Sequence, residues 1–263
     1  MSTLTKRHCY DMIKIKKSIL RTMIFSRKEH REPDWDSDTY KKARLHYLSQ
    51  FLFGESMATD YCREMSLFAP SPEARAFLLR QETEEEHHAE LLTDVLRGMQ
   101  QRPAPVVPHL HALHRIMGGV LKEKDWPASL FIQNFIVEGL ALTIFKEQRK
   151  HGDETIVHLF DLIMRDEEKH VSFGIEEMKK ILTDDGGSEE ARALIPLQRK
   201  ALYHAVLIFK DLAREAGDLG MRWNDLAEGV VRDHLKRIQE AGFHLPYLDR
   251  LFLQSVIRLF CVI

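Results

Sequence analysis

Apolar residues recur along most of this chain with the three-to-four spacing of one helix face, and breakers cut that pattern into segments of helical length. Glu32-Pro33-Asp34 opens a turn, and a helical pattern follows from about Thr39 to Phe68. Ala69-Pro70-Ser71-Pro72 ends it, with Ser71 placed as an N-cap and Pro72 at the first helical position. The next pattern runs to about Gln100 and stops before Arg102-Pro103-Ala104-Pro105, a crossover that includes a short helix near His109 to Leu121. A third long helix starts after Trp126-Pro127 and reaches about His151. Gly152-Asp153 makes the turn, and a fourth runs to about Leu182, closed by Asp184-Asp185-Gly186-Gly187. Two or three further helices fill the remainder, broken at Gly217 to Gly220 and at Gly242 to Pro246. The pattern predicts an all-α chain of two long hairpins joined by a crossover, which is a four-helix bundle with additions at both ends. The expected divisions are a basic extension over 1–38, the bundle over 39–185 and additional helices over 186–263.

Composition supports helix and narrows the partners. Hydrophobic residues make up 44% and charged residues 30%, while glycine (13) and proline (9) are sparse. A net charge of -2 carries no general nucleic-acid footprint, so no nucleic acid is expected. The segment from Met1 to Arg31 is different, with nine Lys/Arg against Asp11 and Glu29 and with Met12, Ile13, Ile15, Ile19, Leu20, Met23 and Ile24 among them. It reads either as a basic helix packed on the bundle or as an arm for a partner, lipid or RNA. The tail from Leu245 to Ile263 is the most apolar stretch, but Asp249, Arg250 and Arg258 interrupt it. It reads as an amphipathic helix that packs on the body or on another subunit, as in a homodimer, rather than as a membrane span. Arm and tail are the two places where membrane contact would arise. Cys9, Cys62 and Cys261 form no CxxC pair, and no signal peptide is recognisable, so a reducing, cytoplasmic setting is expected.

Two Glu-x-x-His pairs carry the chemistry. Glu85 and His88 lie in the second helix, Glu167 and His170 in the fourth, each pair on one face a turn apart. One such pair is a weak signal, and Glu84-x-x-His87 also fits the spacing. The face of Glu85 and His88 carries Leu78, Ala89, Leu92, Val95, Leu96 and Met99, whereas the competing face carries Arg80, Asp94 and Gly98, so burial favours Glu85 with His88. Glu55 and Glu138 complete the set, because each stands on an otherwise apolar helix face. A carboxylate there is costly unless paired or bound to metal.

Spacing supplies an independent check. Glu55 and Glu85 are thirty residues apart with their midpoint at Pro70; Glu138 and Glu167 are twenty-nine apart with theirs at Gly152-Asp153. Residues equidistant from the turn of an antiparallel hairpin lie at one height, here about 22 Å from the turn at roughly 1.5 Å per residue. Four carboxylates and two imidazoles, Glu55, Glu85, His88, Glu138, Glu167 and His170, form an oxygen-and-nitrogen shell suited to two iron ions or a manganese/iron pair. The expected arrangement is one histidine and one terminal glutamate per metal, with two glutamates bridging. Asp166 is either a hydrogen-bond acceptor for the far nitrogen of a ligating histidine or a solvated helix residue.

These residues resemble the ferritin-like di-iron carboxylate superfamily from about Thr39 to Leu182. The stretch from Arg165 through Glu167 and His170 to Gly174 looks like the fourth-helix signature of its ribonucleotide-reductase-like branch, which includes small di-iron oxygenases and oxidases, the aldehyde-deformylating oxygenases among them. Radical-bearing reductase subunits of that family place a tyrosine where this chain has Leu92. Arylamine N-oxygenases add a histidine where it has Ile163, and rubrerythrins carry a rubredoxin module that these cysteines cannot build. Storage ferritins are shorter and lack a complete second Glu-x-x-His. The resemblance therefore implies a stand-alone di-iron oxygenase or oxidase that uses O2, a small apolar organic substrate and a separate electron donor such as a ferredoxin or reductase. The alternative is a ferroxidase or peroxide-scavenging protein with no organic substrate. No catalytic group beyond the ligands is identifiable. Phe51, Phe53, Phe131, Phe135 and Phe145 either line a channel or are core, and His109, His111 and His114 read as surface residues of the crossover.

Overall fold

The computed structural model describes residues 33–183 and 187–243. Helices α1 (Asp38–Ser66) and α2 (Pro72–Gly98) form the first hairpin, and α3 (Pro108–Glu123) lies in the crossover. Helix α4 (Trp126–Gln148) and α5 (Glu154–Thr183) form the second hairpin. Three further helices, α6 (Gly187–Asp211), α7 (Ala213–Asp218) and α8 (Trp223–Glu240), complete the described chain. The architecture is all-helical, a ferritin-like bundle of α1, α2, α4 and α5. Helix α6 packs on α3, and α8 covers the outer side of α4. The basic arm and the apolar tail from Leu245 lie outside the described residues.

The breakers act where the sequence puts them. Ser37 accepts from the Tyr40 amide and opens α1; Ser71, followed by Pro72, accepts from Ala74 and opens α2. Asp125 caps α4 by accepting from Ala128, and Asp153 accepts from the Ile156 amide at the head of α5. Gly152 is obligatory in that turn, since an added Cβ would meet Ile156 Cγ2 at 2.4 Å. Arg44 pairs with Asp153 and so ties the second turn to α1. The crossover is fastened to α1 as well: Ser49 Oγ accepts from Ala104, while Gln50 accepts from Val107 and donates to the Pro105 carbonyl.

One core runs the length of the molecule, with Leu48, Met65, Leu78, Leu92, Phe145 and Phe160 fully enclosed. Among the described residues α4 alone has the length and hydropathy to cross a membrane, but 89% of its most apolar stretch is buried among the other helices. That is the composition of a helix wrapped on all sides. Helix α4 also departs from the sequence expectation of a uniform helix, because Phe131–Val137 is π-helical. Gly174 on α5 admits this wider turn; a Cβ there would meet Asn134 Cβ at 2.4 Å.

Candidate metal centre

The six side chains singled out by spacing converge on one buried point. Glu55 comes from α1, Glu85 and His88 from α2, Glu138 from α4, and Glu167 and His170 from α5, all nearly or fully shielded from solvent. They form two overlapping groups whose donor atoms lie within 4.8 Å of one another: Glu55, Glu85, His88 and Glu167 in one, and Glu85, Glu138, Glu167 and His170 in the other. Glu85 and Glu167 belong to both. His88 Nδ1 lies 3.6 Å from Glu55, 3.4 Å from Glu85 and 3.5 Å from Glu167. His170 Nδ1 lies 3.1 Å from Glu85 and 3.5 Å from Glu167. Both imidazoles thus turn the same nitrogen inward.

The outer nitrogens meet carboxylates on the opposite helix. His170 Nε2 is 2.9 Å from Glu84 on α2, and His88 Nε2 is 3.5 Å from Asp166 on α5, a looser contact because Asp166 also accepts from Lys169 at 2.6 Å. Asp166 thus faces His88 Nε2 without a hydrogen bond to it and is engaged by Lys169. Glu84 is the residue that sequence reasoning missed, having considered it only as a rival to Glu85. The signal was present: an acidic residue precedes the glutamate in both Glu-x-x-His motifs.

Three buried amides form a second layer that was also missed. Gln81 Nε2 donates to Glu85 Oε1 at 3.1 Å and to Glu138 Oε1 at 2.8 Å. Gln133 Nε2, from the π-helical turn, donates to the same oxygen of Glu138. Asn134 Nδ2 donates to the His170 carbonyl at 3.0 Å and to Gln81 Oε1 at 3.4 Å.

Electrostatics divide the carboxylates. Burial, then repulsion from Glu85 and Glu167, pushes Glu55 and Glu138 well above the usual carboxylate range. Burial acts on Glu85 and Glu167 too, but His170 and His88 hold both below it. Burial disfavours the charged imidazoles, and the surrounding carboxylates override it and raise both. Burial also pushes the neighbouring Cys62 thiol up, which keeps it protonated at neutral pH. Glu85 Oε2, both oxygens of Glu167, and Nδ1 of His88 and of His170 are buried without a hydrogen-bond partner. Inward-facing buried ligand atoms that lack hydrogen bonds and are offset only by histidine–carboxylate contacts suit a bound cation. A shell of carboxylate oxygens with one imidazole nitrogen for each ion suits iron or manganese.

An apolar cavity of about 70 Å³ lies between α1, α3, α4 and α6, and none of the six residues lines it. Gly54 and Val137, chain neighbours of Glu55 and Glu138, line one part of it, with Phe51, Ala141, Ile144 and Tyr47 beyond. Of the five phenylalanines considered from sequence only Phe51 lines it; Phe131 and Phe135 are enclosed core rings stacked on each other, and Phe145 is an enclosed ring stacked on Phe160 and tilted on Phe51. A larger groove, about 630 Å³, lies by Lys41, Lys42 and Gln101 near one end of the bundle and touches none of the six residues. His109 faces His204, their Nδ1 atoms 3.2 Å apart, and His111 and His114 are exposed beside Phe53.

No family model matches the chain, and no curated protein matches it in sequence. Its structure is similar to that of Protein 19 with aldehyde deformylating oxidase activity from Synechococcus, with a TM-score of 0.72 and 18% identity over 84% of this chain and 99% of that one. At that identity the likeness shows a shared fold.

Proposed function

We propose that the protein is a non-haem di-iron oxidoreductase that activates O2 to oxidise a small apolar organic substrate, with electrons from a separate donor such as a ferredoxin or reductase. One observation carries this reading: two overlapping four-residue groups, each with one histidine and one glutamate of its own, share Glu85 and Glu167. Glu55 and His88 would hold one iron, Glu138 and His170 the other, and Glu85 and Glu167 both; a manganese/iron pair would use the same donors. When bound, two reduced metal ions supply electrons to dioxygen.

The residues around the cluster serve that chemistry in identifiable ways. With a metal bound, Glu84 would accept the proton of His170 Nε2 and so leave the Nδ1 lone pair for the ion. Asp166 acts more weakly on His88. The enclosing helices keep bulk water from the cluster, which strengthens every electrostatic interaction inside it. The apolar cavity that reaches Gly54 and Val137, next in the chain to Glu55 and Glu138, supports an organic substrate over bare ferroxidase or peroxide-scavenging activity, because an iron or peroxide route gains nothing from apolar walls. Its small volume, about 70 Å³, points to a short substrate. The oxidase activity of the Synechococcus protein of the same fold is in keeping with this reading.

The test is dioxygen consumption by the protein loaded with Fe(II), with and without short aliphatic aldehydes, alcohols and alkenes. Faster consumption coupled to an oxidised organic product supports the proposal. An unchanged rate with iron as the only species oxidised replaces it with a ferroxidase.

A further inference from the structure

Gln133 holds Glu138 in two ways. Its carbonyl accepts the Glu138 amide across the π-helical turn, and its side-chain Nε2 donates to Glu138 Oε1. In an α-helix residues five apart sit about 140° from each other around the axis, so these side chains would diverge. The i→i+5 ladder of the π-helix returns them to one side. The wider turn is what brings the amide over the carboxylate, and Gly174 leaves the room for it.

Gln81 completes the clamp from α2. One of its amide hydrogens goes to Glu138 Oε1 and the other to Glu85 Oε1, while its oxygen accepts from Asn134. That network fixes the amide's orientation, since the reverse would set its oxygen against two carboxylates. Glu138 Oε1 therefore receives two amide hydrogen bonds. Glu55, its counterpart in the other half of the cluster, faces the His88 imidazole and receives none from an amide among the described residues.

Resting on the two-metal reading, we infer that Gln81 and Gln133 are positioning residues that reserve Glu138 Oε1 and leave Oε2 alone to bind metal. Glu55 keeps both oxygens available. The two metal positions are then unequal. The position of Glu138 and His170 has the smaller protein ligand count, fills second, and is the more open to an exogenous ligand. The inequality is built into the chain before any substrate binds.

Co(II) titration of the whole protein under dinitrogen tests this, read by visible absorption and circular dichroism. The parent takes up two ions in two distinguishable steps with different spectra. In the double variant Gln81→Leu/Gln133→Leu, with both amide donors gone and bulk kept, Glu138 binds through both oxygens. The absorption of the second-filled ion falls about twofold as its coordination number rises, and its spectrum approaches that of the first. Gln133→Leu and Gln81→Leu alone, on different helices and each leaving one amide on Oε1, give smaller changes in the same direction, and far-UV circular dichroism reports any folding fault separately. Two equal sites in the parent, or parent-like spectra in the folded double variant, overturn the inference while the two-metal reading stands. A parent that binds fewer than two ions overturns that reading, and this inference with it.

Discussion

His170 on α5 and Glu84 on α2 are joined by a hydrogen bond of 2.9 Å between Nε2 and Oε2, with the histidine fully buried and the glutamate 22% exposed. The carboxylate fixes the imidazole's tautomer and raises its basicity. Glu84→Gln is expected to weaken metal binding at the His170 position by about 10- to 100-fold, the usual effect of losing such a partner. Asp166→Asn should do less at His88, because that contact is 3.5 Å and Lys169 shares the carboxylate. Competitive Fe(II) chelation on the two variants checks the order; equal, parent-like affinities in both would rule it out.

Tyr47 lines the apolar cavity and its buried hydroxyl has no hydrogen-bond partner. Gln50, the other polar side chain there, has its amide engaged with the crossover. Tyr47→Phe should therefore leave stability unchanged or raise it by up to about 1 kcal/mol, since an unsatisfied buried group is removed. Urea denaturation of the metal-free protein reads this directly. A loss above about 1 kcal/mol would mean that the hydroxyl is satisfied within the folded chain.

Ala141 and Ile144 face the same cavity from α4. Filling it with Ala141→Phe should cost about 1–3 kcal/mol if the walls resist, within what a domain of this size tolerates. Organic turnover should fall sharply while Fe(II)-driven dioxygen consumption stays near the parent rate. Equal loss of both would separate the cavity from substrate binding.

His234 is buried on α8 beside Arg237, and burial, reinforced by that cation, lowers its pKa to about 3. The unfolded chain takes up a proton near 6.5 that the folded one refuses, so this group's contribution is intact above pH 6.5 and is lost as pH falls towards 3. The slope is roughly 1.4 kcal/mol per pH unit across that window. His234→Gln should flatten the acid side of a stability-against-pH curve by that amount, whatever it does to stability at neutral pH. An unchanged slope would show that His234 is protonated in the folded protein.

Turn chemistry and hydrophobic period were enough to read the four long helices, because Ser71-Pro72 and Gly152-Asp153 act through local sterics and hydrogen bonds. The meeting of Glu55 with Glu85 and of Glu138 with Glu167 was legible for the same reason, as a distance counted from a turn. The π-helical segment was not legible. Phe131–Val137 has no breaker, and its shape follows from packing on Gly174 of a different helix. Gln133 was hidden in consequence, since an α-helical projection turns it away from Glu138. Gln81 and Glu84 were hidden because their partners, Glu138 and His170, lie on other helices. The pairing of His109 with His204 joins α3 to α6 and likewise has no local signature.

The central claim is a two-metal site built from Glu55, Glu85, His88, Glu138, Glu167 and His170. Equilibrium titration with Fe(II) under dinitrogen tests it on the parent, Glu138→Ala and His170→Ala, with far-UV circular dichroism confirming helical content in each. Two ions bound per parent chain, and the second weakened or lost in each variant, is the result expected. Iron binding as tight and as abundant in both variants as in the parent would contradict it.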